Sequence, residues 1–236
     1  MYQTIPLFRI LQVFVLQLGM GIFFLILGIL ILRRKKGRIN VIFSGFFIST
    51  FIGVLLNVIY ATLTDVNAIR VLNFWTYFFG TFAMIFLMVF NLIVYKSEKI
   101  IDSQKQLTII IIFGVLLLLS VFIPDSIIIR KENNYVPQWS IFYVLYYVII
   151  TMAIAIIPAI FYAIKIYQKM ESPEIKKKWT FYVIGVLMFY TWWLGISFIN
   201  VINDPTIRLI WNIISLSLFL CAYFMYYGVG RQIREK

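Results

Sequence analysis

The chain has 236 residues, 63% hydrophobic, 19% aromatic and only 13% charged, with a formal charge of +12. A soluble domain of this length carries about a quarter charged residues, so this composition cannot dress a water-facing surface and lipid must cover most of it. Histidine is absent and the single cysteine, Cys221, lies in an apolar run, which excludes a disulfide framework and a Cys/His metal site. The basic balance does not imply nucleic acid, because Lys and Arg collecting in cytoplasmic loops accounts for it.

A bilayer core takes about 20 apolar residues per helix, and seven such runs follow one another. The expected fold class is therefore all-α, a polytopic seven-transmembrane helix bundle forming a single membrane domain over 1–236. The first helix is predicted roughly over 6–32, with Pro6 suited to a first helical position and Arg9 near enough to the end to snorkel to the interface. This run is too long for a removable signal peptide, and it ends rather than begins with its basic cluster, Arg33-Arg34-Lys35-Lys36-Gly37-Arg38. The second helix is expected over 39–63 and the third over 68–95. The fourth, over 104–123, follows Ser103 and Gln106 at the spacing of a capping box and is closed by Pro124-Asp125. The fifth, over 137–167, starts at Pro137 and is interrupted by Pro158, which frees the carbonyl of Ile154 and predicts a kink. The sixth runs over 173–202 behind Ser172 as its cap. The seventh runs over 205–228, with Asp204 as cap and Pro205 in the first position.

Charge placement predicts orientation. Sixteen Lys and Arg fall on one side: Arg33, Arg34, Lys35, Lys36 and Arg38 in the first turn; Lys96, Lys99 and Lys105 in the third; Lys165, Lys169, Lys176, Lys177 and Lys178 in the fifth; and Arg231, Arg234 and Lys236 in the tail. Five fall on the other: Arg9, Arg70, Arg130, Lys131 and Arg208. The positive-inside rule then puts the N-terminus outside and the C-terminus in the cytoplasm, which requires an odd number of spans.

Three constellations stand out. On the second helix Gly45, Ser49, Gly53 and Asn57 recur every four residues and share a face. Small residues let another backbone approach, so this face is either ordinary packing within the bundle or a dimer or sliding interface. In the outer half, aromatic and amide side chains recur at similar depth. The first helix offers Gln12 and Gln17, and the third Asn73, Trp75, Thr76 and Tyr77. The fifth offers Tyr143, Tyr147 and Thr151, and the sixth Tyr190, Trp193, Ser197 and Asn200. The seventh offers Arg208, Trp211, Asn212 and Ser215. Polar groups in hydrocarbon turn inward to find partners, so these faces could line a ligand pocket open to the outside. The alternative is an interfacial aromatic belt with Ser, Thr and Asn joining helices. Arg208, near the mouth, would favour an anionic or carboxylate ligand. Asp65, Asp125, Glu132 and Asp204 could share a cation, but turn-forming and capping are the commoner uses of such residues.

No Asp, Glu, Lys or Arg lies near the middle of any span, where a charge costs about 2.5–3.5 kcal/mol and persists chiefly in ion or proton pathways. The seventh helix has no lysine for a retinal Schiff base, and no span carries the Cys–His pair or paired carboxylates of an intramembrane hydrolase, Cys221 having no histidine in the chain to activate it. Neither an enzyme nor a cofactor is expected. Pro137-Gln138 occurs once, without the second copy of a transporter's proline-glutamine loop, and reads as a helix start.

The stretch Leu30-Ile31-Leu32-Arg33-Arg34-Lys35-Lys36-Gly37-Arg38-Ile39-Asn40-Val41-Ile42-Phe43 resembles the seven-helix membrane input region at the front of some bacterial and archaeal histidine kinases. There too the first helix ends in a basic cluster and an Asn-containing start leads into the second. The resemblance implies sensing of an extracellular or membrane-dissolved cue. It also implies a cytoplasmic output domain after the last helix, and no kinase is present here. The chain is then expected to be a stand-alone relative acting through a cytoplasmic signalling partner, or a piece of a longer protein. The expected function is a receptor-like sensor in the cell membrane. Pro158, Gly185 and Gly195 are its flexing points, and Lys176, Lys177, Lys178 and Arg231 form the surface facing a partner or anionic lipid. A small facilitator or channel for a neutral solute, and a structural subunit of a membrane complex, are the alternatives.

Overall fold

The computed structural model describes residues 11–34, 37–97 and 99–230. Pro6, Arg9, Lys35, Lys36, Arg231, Arg234 and Lys236 lie outside the described residues. Among those described, seven helices are long and apolar enough to cross a membrane: α1 Gln12–Leu32, α2 Arg38–Tyr60, α3 Val66–Lys96, α4 Ser103–Phe122, α5 Ile141–Lys169, α6 Pro173–Ile202 and α7 Pro205–Val229. The shortest, α4, has 20 residues, roughly 30 Å of rise and hence one hydrocarbon thickness. The chain is a multi-pass all-α membrane protein.

Local chemistry sets the helix starts. Asp65 caps α3, its carboxylate accepting from the Ala68 N–H at 2.7 Å, and Asp204 caps α7 by accepting from Ile207 N–H at 2.9 Å. Asn203, left-handed at φ 57°, makes the two-residue turn from α6 into that cap. The capping box expected from Ser103 and Gln106 is not formed. The cap is Asp102, one residue earlier, whose carboxylate accepts from Lys105 N–H at 2.9 Å while Gln106 donates to Ile101 O at 2.7 Å. That backbone donor, and then the Lys105 ammonium, hold the Asp102 carboxyl below the usual carboxylate range. Ser172 occupies the cap position of α6 but makes no side-chain capping bond.

The start expected for the fifth helix at Pro137 is also corrected. Gln138 and Trp139 form a short strand, β2, antiparallel to β1 (Ile127–Ile128), with Ile127 opposite Trp139 and Ile128 opposite Gln138. Ser140 then caps α5, its hydroxyl accepting from Tyr143 N–H at 3.3 Å. Asp125, Asn134 and Tyr135, all at positive φ, turn the chain on either side of β1 and before β2. Trp139 and Ile127 are buried, so the hairpin folds over the end of the bundle instead of standing in water. Within α5, a π-helical turn over Met152–Ile156 precedes Pro158. A ring without an N–H cannot continue the regular ladder, and a wide turn is one way of absorbing the break.

α3 is the central helix, with 72% of its most apolar window buried against 22% for α4 and α7. It packs on α2 through the small-residue face. Cβ atoms added at Gly53 would stand 3.0 Å from Thr76 O and 3.2 Å from Gly80 N, and one at Gly45 would strike the Phe86 ring. Ser49 donates to Phe79 O at 2.9 Å. Gly45, Ser49 and Gly53 thus serve packing inside this chain. Asn57 turns instead to α1, donating to Gln17. α6 reaches α3 through large side chains: Tyr77 OH to Ser197 Oγ at 2.6 Å, Trp193 Nε1 to Thr81 Oγ1 at 3.0 Å and Tyr182 OH to Asn91 Oδ1 at 2.7 Å.

Candidate functional site

A cavity of about 460 Å³ opens within the bundle at the hairpin end, inside the 300–1,000 Å³ range of small-molecule sites. Its walls come from α1, α2, α3, α6, α7 and the hairpin segment. The α6 wall extends from Asn203 to Phe189, 15 residues and roughly 21 Å of rise, so the floor lies near the middle of the bundle.

The wall is graded. Arg208, Asn200, Asn203, Asn134 and Pro137 surround the outer part, and Arg208 is the only charged residue among the described lining residues. Its guanidinium donates to Pro137 O at 2.9 Å, joining α7 to the hairpin. Trp139 donates to Asn73 Oδ1 at 2.9 Å and Gln138 to Val201 O at 3.4 Å, so the hairpin is pinned to α3, α6 and α7 across the cavity's outer end. In the middle, Gln12 donates to Asn212 Oδ1 at 2.8 Å, linking α1 to α7, and Gln17 pairs with Asn57. Trp192 donates to Ser215 Oγ at 2.7 Å, while Ser215 donates to Trp211 O at 2.8 Å just where α7 leaves regular helix for one turn. The floor is mainly apolar, built from Met20, Val54, Gly80, Phe189, Leu216 and Phe219, with Thr50 beside them donating its hydroxyl proton to Phe46 O at 2.8 Å.

Beyond the floor the bundle is filled. Phe24, Phe43, Phe46, Phe47, Phe90 and Phe189 are fully buried. Their rings meet at 4.7 Å between Phe43 and Phe90 and at 4.8 Å between Phe46 and Phe189. The cavity has one end.

The residues expected to form a pocket divide into two groups. Gln12, Gln17, Asn73, Thr76, Tyr77, Trp193, Asn200, Arg208, Asn212 and Ser215 line the cavity, and Gly53 and Asn57 of the small-residue face join them. Trp75, Tyr143, Tyr147, Tyr190 and Trp211 do not. Trp75 packs among Phe74, Phe78 and Phe79. Tyr143 and Tyr147 meet at 4.9 Å with their rings tilted, in the interior beside Tyr77, where Ser120 donates to the Tyr147 hydroxyl at 3.2 Å. Tyr190 and Thr151 are buried among helices, and Ser197 is spent on Tyr77. Trp211 lies against the bare backbone of Gly195, where a Cβ would fall 2.0 Å from its ring.

Sequence reasoning missed Trp192, Trp139, Tyr60, Asn134, Asn203 and the apolar floor. One signal was there to read: Phe189, Trp192, Trp193, Ile196, Asn200 and Asn203 recur at three- and four-residue steps and mark a single face of α6. That stripe is rotated by about one residue from Tyr190–Trp193–Ser197, which faces the interior.

Of the four carboxylates considered for a shared cation, Asp65 and Asp204 are helix caps. Asp125 forms a left-handed turn and Glu132 lies exposed in a short 3₁₀ turn. No group of three His, Cys, Asp or Glu that could hold a metal occurs among the described residues. No protein-family model matches the chain, and no curated protein matches it.

Proposed function

We propose that the protein is a receptor-like membrane sensor. Its N-terminus and hairpin end lie outside the cell, and its C-terminus and basic loops lie in the cytoplasm. A cue bound in the cavity biases the relative pose of α5, α6 and α7, and the basic end presents that pose to a cytoplasmic partner. The observation that carries this reading is the one-ended cavity. Its polar wall sits at the end poor in Lys and Arg, and a plug of buried phenylalanines separates it from the basic end. A facilitator needs a continuous path, which the plug opposes in this conformation. A structural subunit would be expected to turn the Gly45–Ser49–Gly53 face outward, whereas that face packs on α3. The resemblance to kinase input regions agrees with the seven spans and with a cue taken up within the membrane domain.

A sensor responds only if the cue binds two states unequally. The π-turn before Pro158 on α5 and the broken turn at Ser215 on α7 are places where helix pose can change at low cost. The test uses full-length protein in nanodiscs, with Cys221→Ala removing the native thiol and spin labels at Tyr167→Cys and Lys177→Cys. Fractions of native membrane lipid and of culture medium are screened for thermal stabilisation. A stabilising fraction is expected to shift the interlabel distance distribution and to lose its effect in Asn212→Ala. Stabilisation with an unchanged distance distribution would overturn the sensor reading.

A further inference from the structure

We propose that the cavity is a site for a single-chain anionic amphiphile drawn from the bilayer, a fatty-acid-like carboxylate with its head at Arg208 and its chain on the apolar floor. The inference rests on the cavity being a ligand site, as above, and adds the chemistry of the occupant.

Three observations carry it. The first is the grading of the wall. A cation and several amides surround the outer part, and the far end is built from Met20, Val54, Phe189, Leu216 and Phe219. A small polar solute would leave that floor unfilled, and a plain hydrocarbon would set apolar surface against the Arg208 guanidinium, at a cost in free energy. A carboxylate suits a guanidinium, which donates in a planar fork. Asn200 and Asn203 lie in the same outer part, and Asn212 lies one helical turn deeper on α7. The depth, roughly 21 Å along α6, suits an extended chain better than a compact solute.

The second is unfilled space at the floor. Gly80 lines the cavity, and a Cβ added there would meet nothing within 4 Å. Gly53, across the same wall, is by contrast hard against α3 backbone. The gap at Gly80 is therefore room inside the cavity, not a packing contact between helices.

The third is the route. The outer end is crossed by the hairpin, held by Arg208, Trp139 and Gln138. The seam between α1 and α7 is lighter. The Gln12–Asn212 bond crosses it above and the Phe23–Phe219 ring contact, at 5.6 Å, crosses it below. Between them Leu16 and Leu216 line the cavity while 36% and 43% exposed. Both side chains line the cavity and are also partly exposed on the outer surface of the bundle, at the level where a lipid chain lies, so in this proposal the occupant reaches the site sideways, already partitioned in the bilayer.

The experiment uses full-length protein in phosphatidylcholine nanodiscs doped with brominated hexadecanoate, which quenches the indoles of Trp192 and Trp193. Saturable quenching is expected, competed by hexadecanoate and not by aqueous butanoate. Gly80→Leu fills the floor with a residue that favours helix more than glycine does. It should abolish the saturable signal without lowering the unfolding temperature. Arg208→Gln should weaken hexadecanoate roughly tenfold or more, the worth of a charged hydrogen bond, and leave hexadecanol within about twofold. Arg208→Lys should retain most of the preference for the carboxylate. Quenching unaffected by both Gly80→Leu and Arg208→Gln, or equal competition by butanoate, would overturn the proposal. Binding as predicted with no change between the α5 and α6 labels would leave this inference standing and defeat the sensor reading. A label shift driven by butanoate, with no hexadecanoate binding, would do the reverse.

Discussion

Asn91 joins the central helix α3 to α5 and α6, two of the three helices whose pose changes in the proposed response. It sits fully buried on α3, donates to Ala159 O beside Pro158 of α5 at 2.9 Å, and accepts from the Tyr182 hydroxyl of α6 at 2.7 Å. Interhelical hydrogen bonds in membranes average about 0.6 kcal/mol and reach about 1.7, because the unfolded state in lipid also finds partners. Tyr182→Phe removes one such bond and should cost about 0.6–1.7 kcal/mol. Asn91→Ala removes two and leaves the Tyr182 hydroxyl buried without its acceptor, so about 1–3 kcal/mol is expected. The double variant should cost less than the sum, with a coupling near that of a single bond, about 0.6–1.7 kcal/mol. The assay is reversible unfolding by dodecyl sulfate in mixed micelles for the four proteins of the cycle. Strict additivity, within about 0.3 kcal/mol, would refute the claim that Asn91 and Tyr182 hold α3 and α6 together.

Gly53→Leu should push α2 from α3, because even a Cβ lies 3.0 Å from Thr76 O; a loss of about 1–3 kcal/mol is expected in the same unfolding assay, with no change in oligomeric state by light scattering. Asp102, exposed at the start of α4, has its carboxyl held down by the Lys105 N–H. Its capping contribution is complete above the ordinary carboxylate value of 3.8 and fades as pH falls through the lower folded value. The protection of the Lys105 amide, its exchange taken relative to the intrinsic rate at each pH, should therefore fall in acid in the wild type, and Asp102→Asn should flatten that pH dependence.

The spans were legible because each is a long apolar run punctuated by Pro, Asp or a basic cluster, and those signals are local. The hairpin was not. Its strands have two residues each, and Pro137 imitates a helix start where the chain instead pairs Gln138 with Ile128. The cap at Asp102 was missed because Ser103 and Gln106 reproduce the spacing of a box that the neighbouring carboxylate pre-empts. At the cavity, α1, α3, α6 and α7 were readable, since amides and indoles in hydrocarbon must turn inward, but α5, also expected in the wall, contributes no lining residue and α2 contributes several. Which inward direction a side chain takes was not readable. On α6, Tyr190 is buried against neighbouring helices while Asn200 lines the cavity. The difference is one helical residue of rotation, about 100°, set by how α6 sits on α3 through Tyr77–Ser197 and Trp193–Thr81. The plug of phenylalanines was equally hidden, because twenty-three phenylalanines spread through every span do not announce which six will meet.

The most direct measurement is sided labelling of the cavity in intact cells, with Cys221→Ala as background and a membrane-impermeant maleimide as reagent. A thiol at Asn200→Cys, on the cavity wall, should be labelled from outside, and one at Lys177→Cys, at the basic end, only after permeabilisation. Labelling of Asn200→Cys only after permeabilisation, with Lys177→Cys labelled in intact cells, would contradict a cavity that faces outward and is closed toward the cytoplasm.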